Sequence, residues 1–281
     1  MSELVAVLGV QHNPLLWRTL ADPADADLVA LRDEFAAAAG RLRAAAPDVL
    51  VVIGTDHLTQ WFFDNMPSFL IGKAPVIPAT FASEEREFGI APAVLTGDVP
   101  LAAWLLHDGL ARDVDFASSD EFRADHSILV PLHFLTPRLD VPVVPVFTNC
   151  MAPPLPRPER CYAVGAVLRA SLDACPLPRR VAVIASGHLA TEVGGPRHFS
   201  GSPDPEFDTE AVALVGSGLV DQVAKLASFE RLTMAGNVSH QFLNFVVAMG
   251  VAGGRAATRA AGLRSRFATS PFFEWYGADL G

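Results

Sequence analysis

The chain has 281 residues, 51% of them apolar and 19% charged, which suits one large globular domain or two halves sharing a core. A net charge of −10 and a pI near 5.2 exclude nucleic acid and an anionic membrane surface as natural partners, while leaving room for a small aromatic acid in a locally basic pocket. The three cysteines, Cys150, Cys161 and Cys175, are an odd number without CxxC spacing, the N-terminus lacks a basic leader, and no apolar run is long enough to span a membrane, so a cytoplasmic protein is expected.

In chain order, Leu4 to Val10 is an apolar run that predicts a strand over 3–10, ending abruptly in Gln11-His12-Asn13-Pro14. An alanine-rich helix is expected over 25–46. A second strand follows over 48–54 after the turn Pro47-Asp48, ending in Gly54-Thr55-Asp56-His57. Residues 74–81 read as an edge strand because prolines interrupt their donors, and a helix is expected over 99–111. Asp125 is a plausible cap for a helix over 127–136, closed by Pro137. Further strands are expected over 141–146 and 180–186, with helices over 158–173, 208–226 and 239–250. The stretch 187–206 is rich in glycine and proline and reads as an active-site loop. The last residues, 255–281, read as a tail whose aromatic Phe272-Phe273-Glu274-Trp275-Tyr276 docks on the body or on a neighbouring subunit.

Strands alternating with helices imply an α/β fold: a single large domain, 1–281, with a mainly parallel or mixed central sheet covered by helices. In such sheets ligands bind in the crevice at the strand ends, where His12, His57, Asn149 and His188 fall. Two histidines at the ends of two buried strands can converge on one point and begin a mononuclear metal site; the bland alternative is a pair of ordinary strand-end histidines.

Several segments carry a resemblance in order and spacing: Gly9-Val10-Gln11-His12, Thr55-Asp56-His57, Phe62-Phe63-Asp64-Asn65-Met66-Pro67, Asp125-His126-Ser127, Val143-Val144-Pro145-Val146 with Asn149, Gly194-Gly195-Pro196-Arg197, and Ala235-Gly236-Asn237 before a helix. Together they resemble the class III extradiol ring-cleavage dioxygenases. The resemblance implies a ferrous iron held by two histidines and one glutamate, with the other face open to a catechol and to dioxygen. It makes His12 and His57 the imidazole ligands and His126 a residue that helps deprotonate the catechol or steer oxygen. Phe63 and Asn149 are expected to wall the substrate pocket.

Two positions depart from the family pattern. Where the family places its glutamate ligand the chain has Gln241, which can coordinate through oxygen but brings no charge. Where the family reads Ser/Thr-Gly-Gly-hydrophobe-Ser-His, the chain has Ser186-Gly187-His188-Leu189-Ala190-Thr191. Thr191 thus stands in the place of the acid-base histidine, and His188 appears three positions earlier, as a relocated acid-base group or a further metal ligand.

The leading expectation is therefore an Fe(II)-dependent dioxygenase that opens the ring of a catechol-like substrate with dioxygen. The alternatives are a metal-poor or inactive partner subunit of a hetero-oligomer, and an enzyme repurposed for hydrolysis or decarboxylation with manganese or zinc. A homodimer, or a hetero-oligomer with a related subunit, is expected from the resemblance.

Overall fold

Parallel strands form the centre of the sheet, and their apolar sequences reflect burial on both faces. The computed structural model describes residues 1–198 and 201–280. The strands are β1 Glu3–Gln11, β2 Val49–Gly54, β3 Phe69–Gly72, β4 Val76–Ala79, β5 Ala93–Thr96, β6 Ala117–Ser119, β7 Val143–Thr148, β8 Arg180–Gly187, β9 Arg259–Arg264 and β10 Thr269–Tyr276. The helices are α1 Leu16–Thr19, α2 Ala26–Ala44, α3 Ala82–Phe88, α4 Val99–Ala111, α5 His126–Leu135, α6 Pro158–Ala174, α7 Pro205–Gly216, α8 Val220–Leu226, α9 Phe229–Ala235 and α10 Leu243–Val251. Among the described residues, no helix is long and apolar enough to cross a membrane.

Eight strands make one mixed sheet in the order β6-β3-β7-β2-β8-β1-β10-β9, and β4 pairs with β5 in a separate ribbon. The central strands β7, β2, β8 and β1 run parallel, so their C-terminal ends share one edge. Along β2, Val49, Val51 and Ile53 enter one apolar cluster while Leu50 and Val52 enter the other, as a period of two requires. Helices α6 and α10 cover the first face, and α2 and α5 cover the second. Polar residues that follow the last apolar position of β1, β2 and β8 are thereby delivered to one crevice.

On the first face α6 and α10 approach closely through glycine. A Cβ on Gly165 would lie 2.0 Å from the carbonyl oxygen of Val247, and one on Gly250 would lie 2.1 Å from that of Tyr162. Alanine is the better helix former by about 1 kcal/mol, yet both obstacles are backbone atoms that cannot swing aside. Gly165→Ala is therefore expected to destabilise the protein by about 1–3 kcal/mol, the range for overpacking a core. Chemical denaturation checks the sign, and a neutral or stabilising result would mean that the helices can separate at no cost.

The C-terminal segment is no tail. Its strand β10 pairs antiparallel with β1 and with β9, and Phe272, Phe273 and Trp275 are fully buried. Its central charge, Glu274, is also buried, and it accepts hydrogen bonds from Arg41 of α2 at 2.8 Å (Nε) and 2.6 Å (Nη2). The expected edge strand at 74–81 shortens to β4 and joins the small ribbon instead of the main sheet. The helix expected over 208–226 is broken by Ser217 and Gly218, the latter at φ +68°. The helix expected over 239–250 begins as a 3-10 turn, Ser239–Phe242.

Candidate active site

His12 follows β1, His57 follows β2, His188 follows β8, and His126 opens α5. Their rings converge: His12 lies 5.4 Å from His57, 5.6 Å from His126 and 4.3 Å from His188, centroid to centroid. His57 and His126 stack at 4.0 Å. The cavity that His57, His126 and His188 line has a volume of about 410 Å³, within the range of small-molecule sites. Leu15, Phe88, Met151, Val193, Val238 and Phe267 supply its apolar wall. A second cavity of about 350 Å³, between Leu42, Pro47, Thr136 and Val141, contains no histidine and none of this chemistry.

Three of the four imidazoles, those of His12, His57 and His126, are fixed from behind. His12 Nδ1 lies 2.7 Å from Ser186 Oγ, on the strand paired with its own. Asp125 caps α5 as expected, with Oδ1 accepting from the Ser127 amide at 2.8 Å. Its Oδ2 accepts from the backbone N–H of His57 at 3.1 Å and from Nδ1 of the same residue at 2.7 Å. Glu84 treats His126 alike, with Oε1 2.6 Å from Nδ1 and 2.7 Å from the backbone nitrogen. Carboxylate–imidazole pairs of this kind fix the tautomer and raise the basicity of the other ring nitrogen.

The charge states follow from burial and neighbours. Burial, then the nearby His188, His57 and His126, pushes His12 well below the usual histidine range. Burial, reinforced by His57 and His126, lowers His188 to about 3. His126 is lowered by burial and by His57, against the pull of Glu84 and Asp125. Burial opposes the charged form of His57 as well, but Asp125 outweighs it by charge and hydrogen bond and holds His57 above its ordinary value. Burial likewise opposes ionisation of Asp125, yet His57 holds its carboxyl well below the usual range. Neutral imidazoles at His12, His126 and His188 are the form that binds metals and accepts protons.

Gln241 reaches the same centre from the 3-10 turn. Its Nε2 lies 3.0 Å from His57 Nε2 and 3.5 Å from the Met151 sulfur. The turn comes this close because β8 ends in Gly187, where a Cβ would stand 2.4 Å from the Gln241 carbonyl oxygen. His12 Nε2, His188 Nδ1, Thr191 Oγ1 and Gln241 Oε1 are all buried without a hydrogen-bond partner. So many orphaned polar atoms around one point are what a bound ion or substrate would satisfy. Ring nitrogens of His12, His57 and His126 lie within 4.8 Å of one another, close to the span across a metal with bonds of about 2.1 Å. The donor set therefore fits a divalent metal, with neutral nitrogen and amide-oxygen donors at hand.

Thr191 is buried in the cavity wall, its amide donating to Ser239 Oγ at 3.0 Å. The Ala-Gly-Asn turn clips the same loop, with Asn237 Oδ1 accepting from Val193 N at 2.9 Å. Two residues expected in the substrate pocket are not brought to it. Phe63 is 74% exposed, on a loop that Asp56 folds through the amides of Thr59, Gln60 and Trp61. Asn149 turns on its own chain, accepting from the Met151 and Ala152 amides and donating to the Ala152 carbonyl. Lys73 is tied to Asp120, Arg197 to Glu192, and His240 rests near Thr233 and the Phe229 carbonyl, away from the cavity. Cys150 is buried beside Asn244. His198 also lines the cavity.

Glu84 carries no signal in the sequence that marks it out, and Ser186 appears there only as the first residue of the Ser186-Gly187-His188 segment. Asp125 did carry one, as a cap beside a candidate histidine, and the second oxygen of a capping carboxylate is the clue to its other task.

The fold is α/β, and its strand ends gather a set of donors that fits a divalent metal. The chain belongs to the LigB family, described as the catalytic LigB subunit of aromatic ring-opening dioxygenase, which matches residues 7–275; this is the class III extradiol type. It is 34% identical over 233 residues to the 2,3-dihydroxyphenylpropionate/2,3-dihydroxicinnamic acid 1,2-dioxygenase of Paraburkholderia xenovorans, an alignment covering 83% of this chain and 63% of that one. Against the enzyme of the same name from Klebsiella pneumoniae it is 26% identical, with 95% and 94% covered. The chain thus spans just under two thirds of the first relative's length and nearly all of the second's. The uncharacterized protein JW3007 of Escherichia coli K12 shares the fold at a TM-score of 0.63 and 16% identity, with 96% of this chain and 99% of that one covered.

Proposed function

We propose that the protein is an Fe(II)-dependent extradiol dioxygenase that opens the ring of a catechol-like aromatic. The reading rests on one observation above all: four histidines from four chain segments converge ring to ring, and three of them, His12, His57 and His126, turn Nδ1 to a hydroxyl or carboxylate partner. His12, His57 and Gln241 would hold the iron. Ferrous iron, when bound, supplies the Lewis acidity and the electrons that let a catecholate react with dioxygen.

The chain's own residues do the rest. The apolar wall of Leu15, Phe88, Val238 and Phe267 takes the ring face and excludes water from it. His126, neutral and held at Nδ1, accepts a catechol hydroxyl proton at Nε2. His188, whose Nδ1 has no other partner, is the second proton carrier in the cavity and takes over the task of the histidine that Thr191 replaces. A cytoplasmic setting accords with three buried free cysteines.

The experiment is anaerobic metal analysis with iron(II), manganese and zinc each offered. Oxygen uptake is then measured on a panel of catechols that includes protocatechuate, gallate and the 2,3-dihydroxyphenylpropionate named for the relatives. One iron per chain with stoichiometric oxygen uptake and a ring-opened product is expected. A second reading, zinc- or manganese-dependent hydrolysis, is favoured by the uncharged donor at Gln241 and by the 4.3 Å between His188 and His12. Zinc or manganese bound without oxygen uptake on any catechol would replace the first reading with the second.

A further inference from the structure

His126 accepts a proton only at the ring nitrogen that carries none, and a residue from outside the main sheet decides which nitrogen that is. Glu84 lies in α3, 42 positions before His126, and is buried against it. Its two oxygens have separate partners. Oε2 accepts from the backbone N–H of Phe81, the N-cap residue of α3, at 2.7 Å, which is the return half of a capping box. A cap needs one oxygen. The other, Oε1, faces two nitrogens of a single residue, the backbone N and Nδ1 of His126, at 2.7 and 2.6 Å.

A backbone N–H can only donate, and a carboxylate has no proton to give, so the ring nitrogen in contact with Oε1 is the one that carries hydrogen. A neutral imidazole held this way has its lone pair on Nε2. Gripping main chain and ring of the same residue also fixes the side chain's rotation, as Asp125 does for His57. The ring is confined further by His57, stacked at 4.0 Å, and by Phe88 at 5.9 Å.

We propose that Glu84 is a positioning residue that fixes His126 as the Nδ1–H tautomer and so presents a bare Nε2 to the substrate in the cavity. The proposal rests on the reading that His126 handles a substrate proton. Glu84 touches no reacting atom itself.

The test begins on the metal-free protein with isotope-labelled histidine, reading tautomers by long-range proton–nitrogen NMR. The His126 signal is assigned by its absence from His126→Phe. Wild type is expected to show Nδ1–H alone. Glu84→Gln keeps that tautomer, because an amide oxygen accepts from both nitrogens, and Glu84→Leu gives a mixture. In the iron-loaded protein, Glu84→Leu is expected to lower kcat about 100-fold with KM and metal content within about twofold, and Glu84→Gln to recover at least about tenfold of the loss.

An Nε2–H tautomer in wild type overturns the proposal without any variant, which covers the case in which Glu84→Leu does not fold. A single unchanged tautomer or unchanged kcat in Glu84→Leu overturns it too. If wild type cleaves no catechol, the proposed function fails while the tautomer result still decides the role of Glu84.

Discussion

Replacing His57 with alanine is expected to strip the purified protein of stoichiometric metal and to abolish oxygen uptake. His57 is one of the two imidazoles proposed to hold the iron, and Asp125 sets its orientation at both main chain and ring. Without it, the proposed ligand set falls to His12 and Gln241, two neutral donors, too few to hold a divalent ion against water. Asp125 would keep the amides of His57 and Ser127 but lose its ring partner. A buried carboxylate deprived of a donor costs about 1–3 kcal/mol, so a modest fall in thermal stability should accompany the metal loss. Metal analysis of the purified variant reads the main effect, and unchanged metal content would remove His57 from the ligand set.

Gln241→Glu should act in the opposite direction on iron. The side chain is fully buried, its Oε1 has no partner, and its Nε2 sits 3.0 Å from His57 Nε2. A carboxylate of the same shape adds a negative charge beside the ion, and iron retention against a competing chelator is expected to rise at least about tenfold, or about 1.4 kcal/mol. The metal-free variant should be less stable than wild type, because it buries a charge and loses the amide donor to His57, and iron should restore it. The comparison to make is chelator competition together with melting temperature, with and without iron. No gain in retention would mean that the 3-10 turn aims the side chain elsewhere, or that His188 already completes the set.

The central strands were legible because burial on both faces leaves no polar residue inside them: β1, β2, β7 and β8 appear in the sequence as apolar runs close to their true limits. His12, His57 and His188 were legible for the same reason, since each follows such a run, while His126, at the start of α5, was legible through the family resemblance. What stayed hidden was partnered charge. Strand β10 reads as a tail because Glu274 stands at its centre, and that carboxylate is satisfied by Arg41, 233 positions away. Glu84 sits among Glu85, Arg86 and Glu87 and looks like part of a solvated helix face, until α3 folds its side chain against α5. Asn149 and Phe63 were misplaced by proximity along the chain, because local turns send one into its own loop and leave the other in solvent.

His12 and its hydroxyl partner Ser186 are 174 positions apart, and Gln241 comes later still. A nascent chain leaving the ribosome therefore holds isolated imidazoles, and the proposed metal centre has to wait until β8 has docked beside β1 and the turn bearing Gln241 has followed. Whatever free energy the ion contributes goes to the closed sheet and to no fragment of it. Occupancy of the centre is thus a record of completed assembly: a truncated or misregistered chain carries the same histidines and should hold no ion.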